Sequence, residues 1–415
     1  MARYKFKRLI MLNLLNSFKQ KYIVNFWDVG KAMIALAILS AVYFGIFGGV
    51  WAVTGEMTRW GGEFLELFGM DLSSYSYYKM QNLNGTPLTR FEGIMLIGMF
   101  LGASIAAFMA NKVKFRLPVS GIRVFQAIVG GILSGFGARL AFGCNLANFF
   151  TGLPYFSLHT WLFALFMVIG IYCAVQVGKL KVFRPKVVLE RCGINGKGIE
   201  HDKGRANRHF AYGAIILVFS IIWLIYLFMN VPSFDLKVKA SILPLALIFG
   251  VAFGFIISKG QVCFTSCFRD LFLFGRDTAA KGAFFGMIIA TLIVFVFMLN
   301  GYHAKVVSFS PAVAAGAFLF GFGIVFAGGC ECGWTYRATE GQMHFLIVGI
   351  ANFVGTAILA LNYDHFPDWF KDGPKINLLD ALGSLGGLTL NLSLFVAALL
   401  LVIFYKRRFF AKGKY

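Results

Sequence analysis

About ten long apolar stretches alternate with shorter polar segments along the chain. Each apolar stretch is close to the 20 residues that an α-helix needs to cross roughly 30 Å of hydrocarbon. The pattern predicts an all-α polytopic membrane protein with about ten transmembrane helices. We place these helices at 32–53, 93–110, 122–143, 157–178, 210–231, 241–258, 279–300, 308–329, 342–362 and 384–405.

The composition strengthens the membrane assignment. Hydrophobic residues make up 59% of the 415 residues and charged residues only 14%, whereas soluble proteins carry roughly a quarter charged residues. The 48 Phe and 47 Gly suit lipid-facing zones and close helix contacts. The basic segment 1–31 runs into the first helix without an A-x-A-like cleavage site, which predicts a cytoplasmic lead-in rather than a signal peptide.

Charge then fixes the expected orientation. The formal net charge is +21, but the basic residues concentrate in alternate loops and at both ends, as the positive-inside rule requires. This predicts a multi-pass protein of the bacterial cytoplasmic (inner) membrane with both termini in the cytoplasm. The sequence predicts no separate soluble domain that could carry a basic surface for the phosphate backbone of a nucleic acid. Nucleic acid is therefore not an expected partner.

Two halves of the chain resemble each other weakly. Gly135-Phe136-Gly137, followed by Cys144, matches Gly321-Phe322-Gly323, followed by Cys330, at one constant offset. Generic Gly-rich packing is the alternative explanation. Since one inserted helix between the halves puts equivalent helices five positions apart, an odd number, the second half is predicted to be inverted, as in many transporters. The expected units are a first repeat (32–178), a basic cytoplasmic linker (179–209), an inserted helix (210–231), a second repeat with a final helix (238–405) and a basic cytoplasmic tail (406–415).

Four segments do not fit a simple spanning helix: 54–70, 144–155, 259–275 and 330–341. Each follows a Gly-rich helix end and mixes small, polar and charged residues with large apolar ones. Irregular backbone enters the bilayer only where protein or a cavity surrounds it. We expect re-entrant helices that meet at a central constriction, with ordinary surface loops as the alternative.

Seven cysteines are an odd number, and their clustering does not resemble an extracellular disulfide framework. Cys144 and Cys330 occupy equivalent positions in the two halves. Cys263 lies in another break, and the residue at the equivalent position of the first half is Thr58. A buried cysteine is usually a small hydrophobe, which is how we interpret Cys173. The three cysteines at helix breaks are instead predicted to line the substrate path.

A neutral thiol is a weak donor with a polarizable sulfur, so several thiols can bind a soft anion without holding it tightly, as permeation requires. Helix N-termini and nearby arginines would meet the charge of the anion. The alternatives are that Arg139 reaches the membrane interface and that Arg337 and Glu331 are solvated. The supporting positions are Asn145, Thr265, Glu331, Arg139 and Arg337.

Two other functions stay open. Cys330-x-Cys332 and Cys263-x-x-x-Cys267 suit copper(I) or zinc, but the first half supplies Cys144 alone, so no metal site is predicted. A membrane thiol protein that relays sulfur or selenium to a cytoplasmic enzyme is the other alternative. No nucleotide, zinc-protease or haem motif occurs, so neither an enzyme nor a cofactor is expected.

Several motifs resemble the YeeE/YedE family of bacterial membrane proteins, closest to its YedE branch. They are Trp51-Ala52-Val53-Thr54-Gly55-Glu56, Arg59-Trp60-Gly61-Gly62, Gly143-Cys144-Asn145-Leu146-Ala147, Cys263-Phe264-Thr265-Ser266, Phe268-Arg269-Asp270 and Gly328-Gly329-Cys330-Glu331. The resemblance implies a sulfur-transport domain with inverted repeats and re-entrant helices. It also implies uptake of thiosulfate or a related anion past Cys144, Cys263 and Cys330. The YedE branch is associated with selenium metabolism, which makes a selenium anion and a cytoplasmic sulfur- or selenium-handling partner further expectations.

Overall fold

A computed structural model describes residues 17–184, 203–231 and 239–411, together with Met11 and Leu14. The regular elements of this described part are helices. In chain order the main ones are α1 (Val29–Phe47), α2 (Thr54–Leu67), α3 (Phe91–Met109), α4 (Gly121–Leu140), α5 (Leu158–Gly178), α6 (Lys203–Met229), α7 (Leu243–Gly260), α8 (Phe264–Phe274), α9 (Thr278–Leu299), α10 (Pro311–Ala327), α11 (Glu331–Thr339), α12 (Met343–Asn362) and α13 (Leu378–Ala411).

The described part contains ten helices that are long and apolar enough to span a membrane, which confirms the predicted fold class. Some predicted boundaries were wrong. The helix α1 ends at Phe47 rather than at residue 53, because Gly48 adopts a left-handed conformation. The helix α13 begins at Leu378 and is interrupted at the non-helical Gly383, so its long segment starts at residue 384, as predicted.

The predicted linker, 179–209, is only partly covered. Its last residues are helical, since α6 begins at Lys203 and not at residue 210. Residues 185–202, which include Cys192, lie outside the described part. The same holds for the predicted tail from residue 412 onward, for residues 232–238 and for most of the first 16 residues.

Left-handed residues end the long helices at the four predicted breaks. Gly48 and Gly328 have φ values of 66° and 80°, and Phe142 and Gln261 have 54° and 49°. This conformation turns the chain out of the helix and satisfies its last carbonyl groups. A short helix then follows in each case: α2, a π-helix at Asn145–Phe150, α8 and α11.

The long helices pack mainly across the two halves of the chain. The helix α3 packs on α7 and α1 packs on α9, while α4 contacts both α10 and α12, and α5 contacts α10. The helices α6 and α13 lie at the periphery and expose large apolar side chains, as expected for lipid-facing surfaces. Ile215, Tyr226, Leu385 and Leu401, for example, are more than half exposed.

The glycines that match between the halves lie at equivalent helix contacts. Gly137 on α4 faces the backbone of α10, and Gly323 on α10 faces the backbone of α4. Gly135 on α4 faces α12, and Gly321 on α10 faces α5. None of the four positions has room for a Cβ, so glycine permits the close approach of these backbones.

Candidate functional site: a buried thiol cluster

The three predicted path cysteines occupy the same kind of local position. Cys144 precedes the π-helix, Cys263 precedes α8 and Cys330 precedes α11, each as the N-cap residue in an extended conformation. Their exposures are 0%, 0% and 1%. The turn that ends each long helix therefore places a thiol inside the protein, next to the N-terminus of a short helix.

The structure brings these cysteines into one cluster. The Sγ atoms of Cys263 and Cys330 lie 3.7 Å apart. Cys144 lies within electrostatic range of Glu331 and Cys332, the two residues that follow Cys330. Elements from both halves of the chain thus contribute to a single thiol-lined centre.

Two cysteines that sequence reasoning left aside belong to the same cluster. Cys267 and Cys332 are fully buried, and the Cys267 thiol points at the carbonyl oxygen of Cys263 at 3.9 Å. Cys332 interacts with both Cys330 and Cys144. Their short spacing from the path cysteines was the available signal. Cys173, by contrast, is partly exposed on α5.

Polar side chains beside the cysteines lack hydrogen-bond partners within the described part of the protein. Both amide atoms of Asn145, the hydroxyl of Thr265 and the Oε2 atom of Glu331 are unpaired, at exposures of 0%, 0% and 1%. Buried polar groups are nearly always hydrogen-bonded, because an unmade bond costs about 1–3 kcal/mol. Unpaired donors in this place suit a polar ligand that occupies the cluster.

Glu331 has little compensation for its buried carboxylate. Its Oε1 atom accepts a long hydrogen bond of 3.5 Å from Asn352, which also donates to Ser134 at 3.0 Å. The charge of Arg139 reaches it from the first half of the chain. The prediction that left open a solvated Glu331 is therefore resolved in favour of a buried position.

A cavity of about 290 Å³ lies on the Cys144 side of the cluster. We call it the first cavity; its ionisable lining residues include Glu56, Arg59, Glu92, Arg139, His159 and Lys305. Arg139 is only 4% exposed and donates to Thr54 at the start of α2, so its side chain is buried within the protein.

A second cavity of about 680 Å³ lies on the Cys330 side. Its charged lining residues are Arg123, Lys179, Arg184, Arg269 and Arg337. Residues at the start of α4 and the end of α5 line it, whereas the end of α4 and the start of α5 line the first cavity. The two cavities therefore lie at opposite ends of the same two helices.

The supporting arginines are thus separated by the cluster. Arg139 borders the first cavity and Arg337 the second, where Arg337 donates to the carbonyl of Gly328 at 2.9 Å. Sequence reasoning missed Arg123 and Arg269, since basic residues at helix ends also satisfy the positive-inside rule. Among the described residues, no three His, Cys, Asp or Glu side chains are arranged to hold a metal ion.

Comparison with known proteins gives a consistent result. The chain matches the sulphur transport family over residues 5–173 and 259–414. It is 46% identical over 397 residues to the probable transporter YedE of Salmonella typhimurium, a match that covers 95% of this chain and 96% of that protein. The corresponding YedE of Escherichia coli is 45% identical over the same share of both chains.

A shorter match links the chain to a named substrate in another protein. Over 88 residues, 21% of this chain, it is 40% identical to the thiosulfate transporter TsuA of Spirochaeta thermophila, of which the match covers 26%. These relatives are named as transporters, in agreement with the prediction of a transport protein rather than an enzyme. The chain is a multi-pass membrane protein of the sulphur transport family, which confirms the YeeE/YedE resemblance predicted from its motifs.

Proposed function

We propose that this protein carries a small sulfur-containing anion of the thiosulfate type, or a selenium analogue, past Cys144, Cys263 and Cys330. The observation that carries the proposal is the position of the thiol cluster between two cavities at opposite ends of α4 and α5. The cysteines are buried, so the path is closed to solvent at the cluster. Opening toward one cavity and then the other would pass an anion from side to side.

The chemistry of the cluster suits brief binding. Neutral thiols are weak donors, and the unpaired groups of Asn145 and Thr265 add donors without a permanent charge. When it is ionised, the buried carboxyl of Glu331 would oppose a long stay of an anion beside it, because like charges repel strongly away from water. Conduction needs binding that is strong enough for entry and weak enough for release.

Arginines at the two sides of the cluster would provide the attraction. Arg139 borders the first cavity and Arg337 the second. A guanidinium group matches an oxyanion in shape and charge. An anion that enters either cavity would therefore be drawn toward the thiols before it meets Glu331.

We further propose that the two halves are inverted repeats whose short helices dip into the membrane. The helix contacts support this interpretation, because each contact recurs between the equivalent helices of the two halves. The contact of α3 with α7 corresponds to that of α9 with α1, and the contact of α4 with α12 corresponds to that of α10 with α5. The burial of the residues that precede the short helices supports an internal rather than a surface position. Inverted repeats usually place a substrate site at their interface.

Uptake of labelled thiosulfate into proteoliposomes tests the proposal. We expect Cys144→Ser, Cys263→Ser and Cys330→Ser each to reduce uptake at least about tenfold, since a hydroxyl is smaller and far less polarizable than a thiol. Cys173→Ser is the matched control, because Cys173 lies on α5 and is partly exposed. Unchanged uptake in all three path variants, each folded as judged by gel filtration, would defeat the thiol-path proposal.

The same preparations separate the alternatives. A cysteine that gains one sulfur atom per chain, detected by mass spectrometry without net uptake, would replace the proposal with a sulfur relay to a cytoplasmic partner. Copper or zinc that copurifies in stoichiometric amount, again without thiosulfate uptake, would replace it with soft-metal transport. Competition of a labelled selenium anion with thiosulfate would extend the substrate class to selenium.

A further inference from the structure

Three guanidinium groups converge where α10 ends. Arg337 and Arg269 donate to the carbonyl oxygen of Gly328 at 2.9 and 3.3 Å. An Nη atom of Arg123 lies 3.9 Å from the position that a Cβ would take on Gly328. The three side chains come from α4, α8 and α11 and line the second cavity together.

Their positive charge is poorly balanced within the described part of the protein. Arg269 pairs with Asp270 at 2.9 Å, but no described carboxylate lies within ion-pair distance of Arg123 or Arg337. The described lining of the second cavity includes Lys179 and Arg184 and contains no acidic residue. Arg123 and Arg269 are close enough to repel each other, so a bound anion would relieve an unfavourable interaction.

A purely structural role explains only part of this arrangement. Arginines that bond to the last carbonyl groups of a helix stabilise its C-terminus, and Arg269 and Arg337 do so at Gly328. Arg123 donates instead to Gln126 on its own helix, at 3.0 Å. The capping of α10 therefore leaves the Arg123 guanidinium without an explanation.

The arginine cluster lies directly beside the thiols. Gly328 precedes Cys330 by two residues, and a Cβ on Gly329 would lie 3.2 Å from Nη1 of Arg337. The charges of Arg337 and Arg269 both reach Cys263. An anion that leaves the Cys263–Cys330 pair toward the second cavity would meet these guanidinium groups next.

We propose that Arg123, Arg269 and Arg337 form a second anion-binding station, which prefers doubly charged oxyanions to singly charged anions. Guanidinium groups bind oxyanions through paired, charge-assisted hydrogen bonds, and several of them together favour a second negative charge on the ligand. The inference rests on the proposed function, because it takes the transported anion as the ligand. It adds a substrate class, dianions, that the neutral thiols alone would not select.

Thiosulfate uptake kinetics in proteoliposomes test the station through Arg123, which takes no part in the Gly328 cap. We expect Arg123→Gln to raise KM about tenfold, the usual scale for loss of a charged hydrogen bond. Inhibition by sulfate should weaken more than inhibition by the monoanion thiocyanate. Arg123→Lys should recover part of both effects, since it restores the charge without the planar donor pair. Arg276→Gln, at an exposed arginine shortly after α8, should behave as the unmodified protein.

The outcomes separate the two proposals. If the unmodified protein takes up no thiosulfate, the proposed function fails. If uptake proceeds but Arg123→Gln and Arg269→Gln keep both KM and the preference for sulfate over thiocyanate, the station is overturned while the thiol path stands. Isothermal titration calorimetry of thiosulfate with the Cys263→Ser/Cys330→Ser protein measures binding independently of transport. Binding should persist there and should weaken when Arg123→Gln is added.

Discussion

Gly333 on α11 leaves the space that the Cys263–Cys330 pair occupies. A Cβ at this position would lie 2.7 Å from the Cys263 sulfur and 3.7 Å from the Cys330 sulfur. Real Cβ atoms do not approach sulfur at the shorter distance, so a side chain here would displace one thiol. The absence of a side chain at Gly333 therefore makes room for the two thiols.

We predict that Gly333→Ala reduces thiosulfate uptake at least about tenfold although the protein still folds. Alanine favours a helix by about 1 kcal/mol over glycine, which offsets part of the steric cost in α11. Gly121→Ala is the control, because a Cβ at Gly121 meets no atom within 4 Å. Gel filtration measures folding, and uptake into liposomes measures function. Full uptake by a folded Gly333→Ala protein would show that the space left by Gly333 beside the two thiols is not needed for transport.

At the residue scale, breaks in the helical pattern were the useful signal. Cys144, Cys263 and Cys330 each follow a Gly-rich helix end, and the structure places Cys263 beside Cys330 and Cys144 near Glu331; their role as a substrate path stays a prediction. Arg123 could not be identified this way, because a basic residue at a helix end has the same pattern whether it faces lipid headgroups or a cavity. The direction of its side chain depends on packing between helices that are distant in sequence.

At the scale of elements, the ends of three of the four broken helices decide where a thiol lies. Glycine at 48 and 328 is a recognisable stop signal, whereas Phe142 and Gln261 adopt the left-handed conformation without glycine. Sequence alone gives no reason to stop a helix at a phenylalanine or a glutamine. The predicted first spanning helix nevertheless ran to residue 53, past the glycine stop at Gly48, although the described residues contain the expected ten spanning helices.

Asp277, the residue before α9, ties this helix to the C-terminal helix. Its carboxylate accepts a hydrogen bond from Lys406 of α13 at 2.8 Å and pairs with Lys281 at 2.6 Å. Burial alone would raise the pKa of Asp277, but the two lysines outweigh this effect and hold the pKa below its usual value. The ion pairs therefore stabilise the folded state above the unfolded pKa of about 3.9.

We predict that Asp277→Asn lowers the free energy of unfolding by roughly 1–2 kcal/mol at pH 7. The difference from the unmodified protein should be complete above about pH 5 and should shrink as pH falls through the lowered pKa of Asp277. Thermal unfolding in detergent, followed by tryptophan fluorescence from pH 3 to pH 7, measures both. Asp368→Asn, at a carboxylate that is 90% exposed, is the control. A stability loss independent of pH would contradict the ion-pair explanation.

At the scale of the whole molecule, the described residues contain ten helices that are long and apolar enough to span a membrane. The sequence predicted this number but could not predict which helices pack together, because near-uniform apolar faces carry little information about partners. The close contacts of α4 with α10 and α12, and of α5 with α10, arise from glycine positions that become meaningful only in three dimensions. These contacts bring the two halves of the thiol cluster together.

The last prediction concerns which side each cavity faces. The concentration of Lys and Arg in alternate loops predicts that both termini lie in the cytoplasm. The loop between α9 and α10 would then face outward, and the second cavity would open to the cytoplasm because it lies at the start of α4 and the end of α5. A fluorescent protein fused after Tyr415 should fluoresce, and alkaline phosphatase fused after Gly301 should be active. In the reversed fusions, phosphatase after Tyr415 should be inactive and fluorescent protein after Gly301 should not fluoresce. The opposite pattern would turn the arginine station outward, where it would receive the anion first rather than accept it from the thiols.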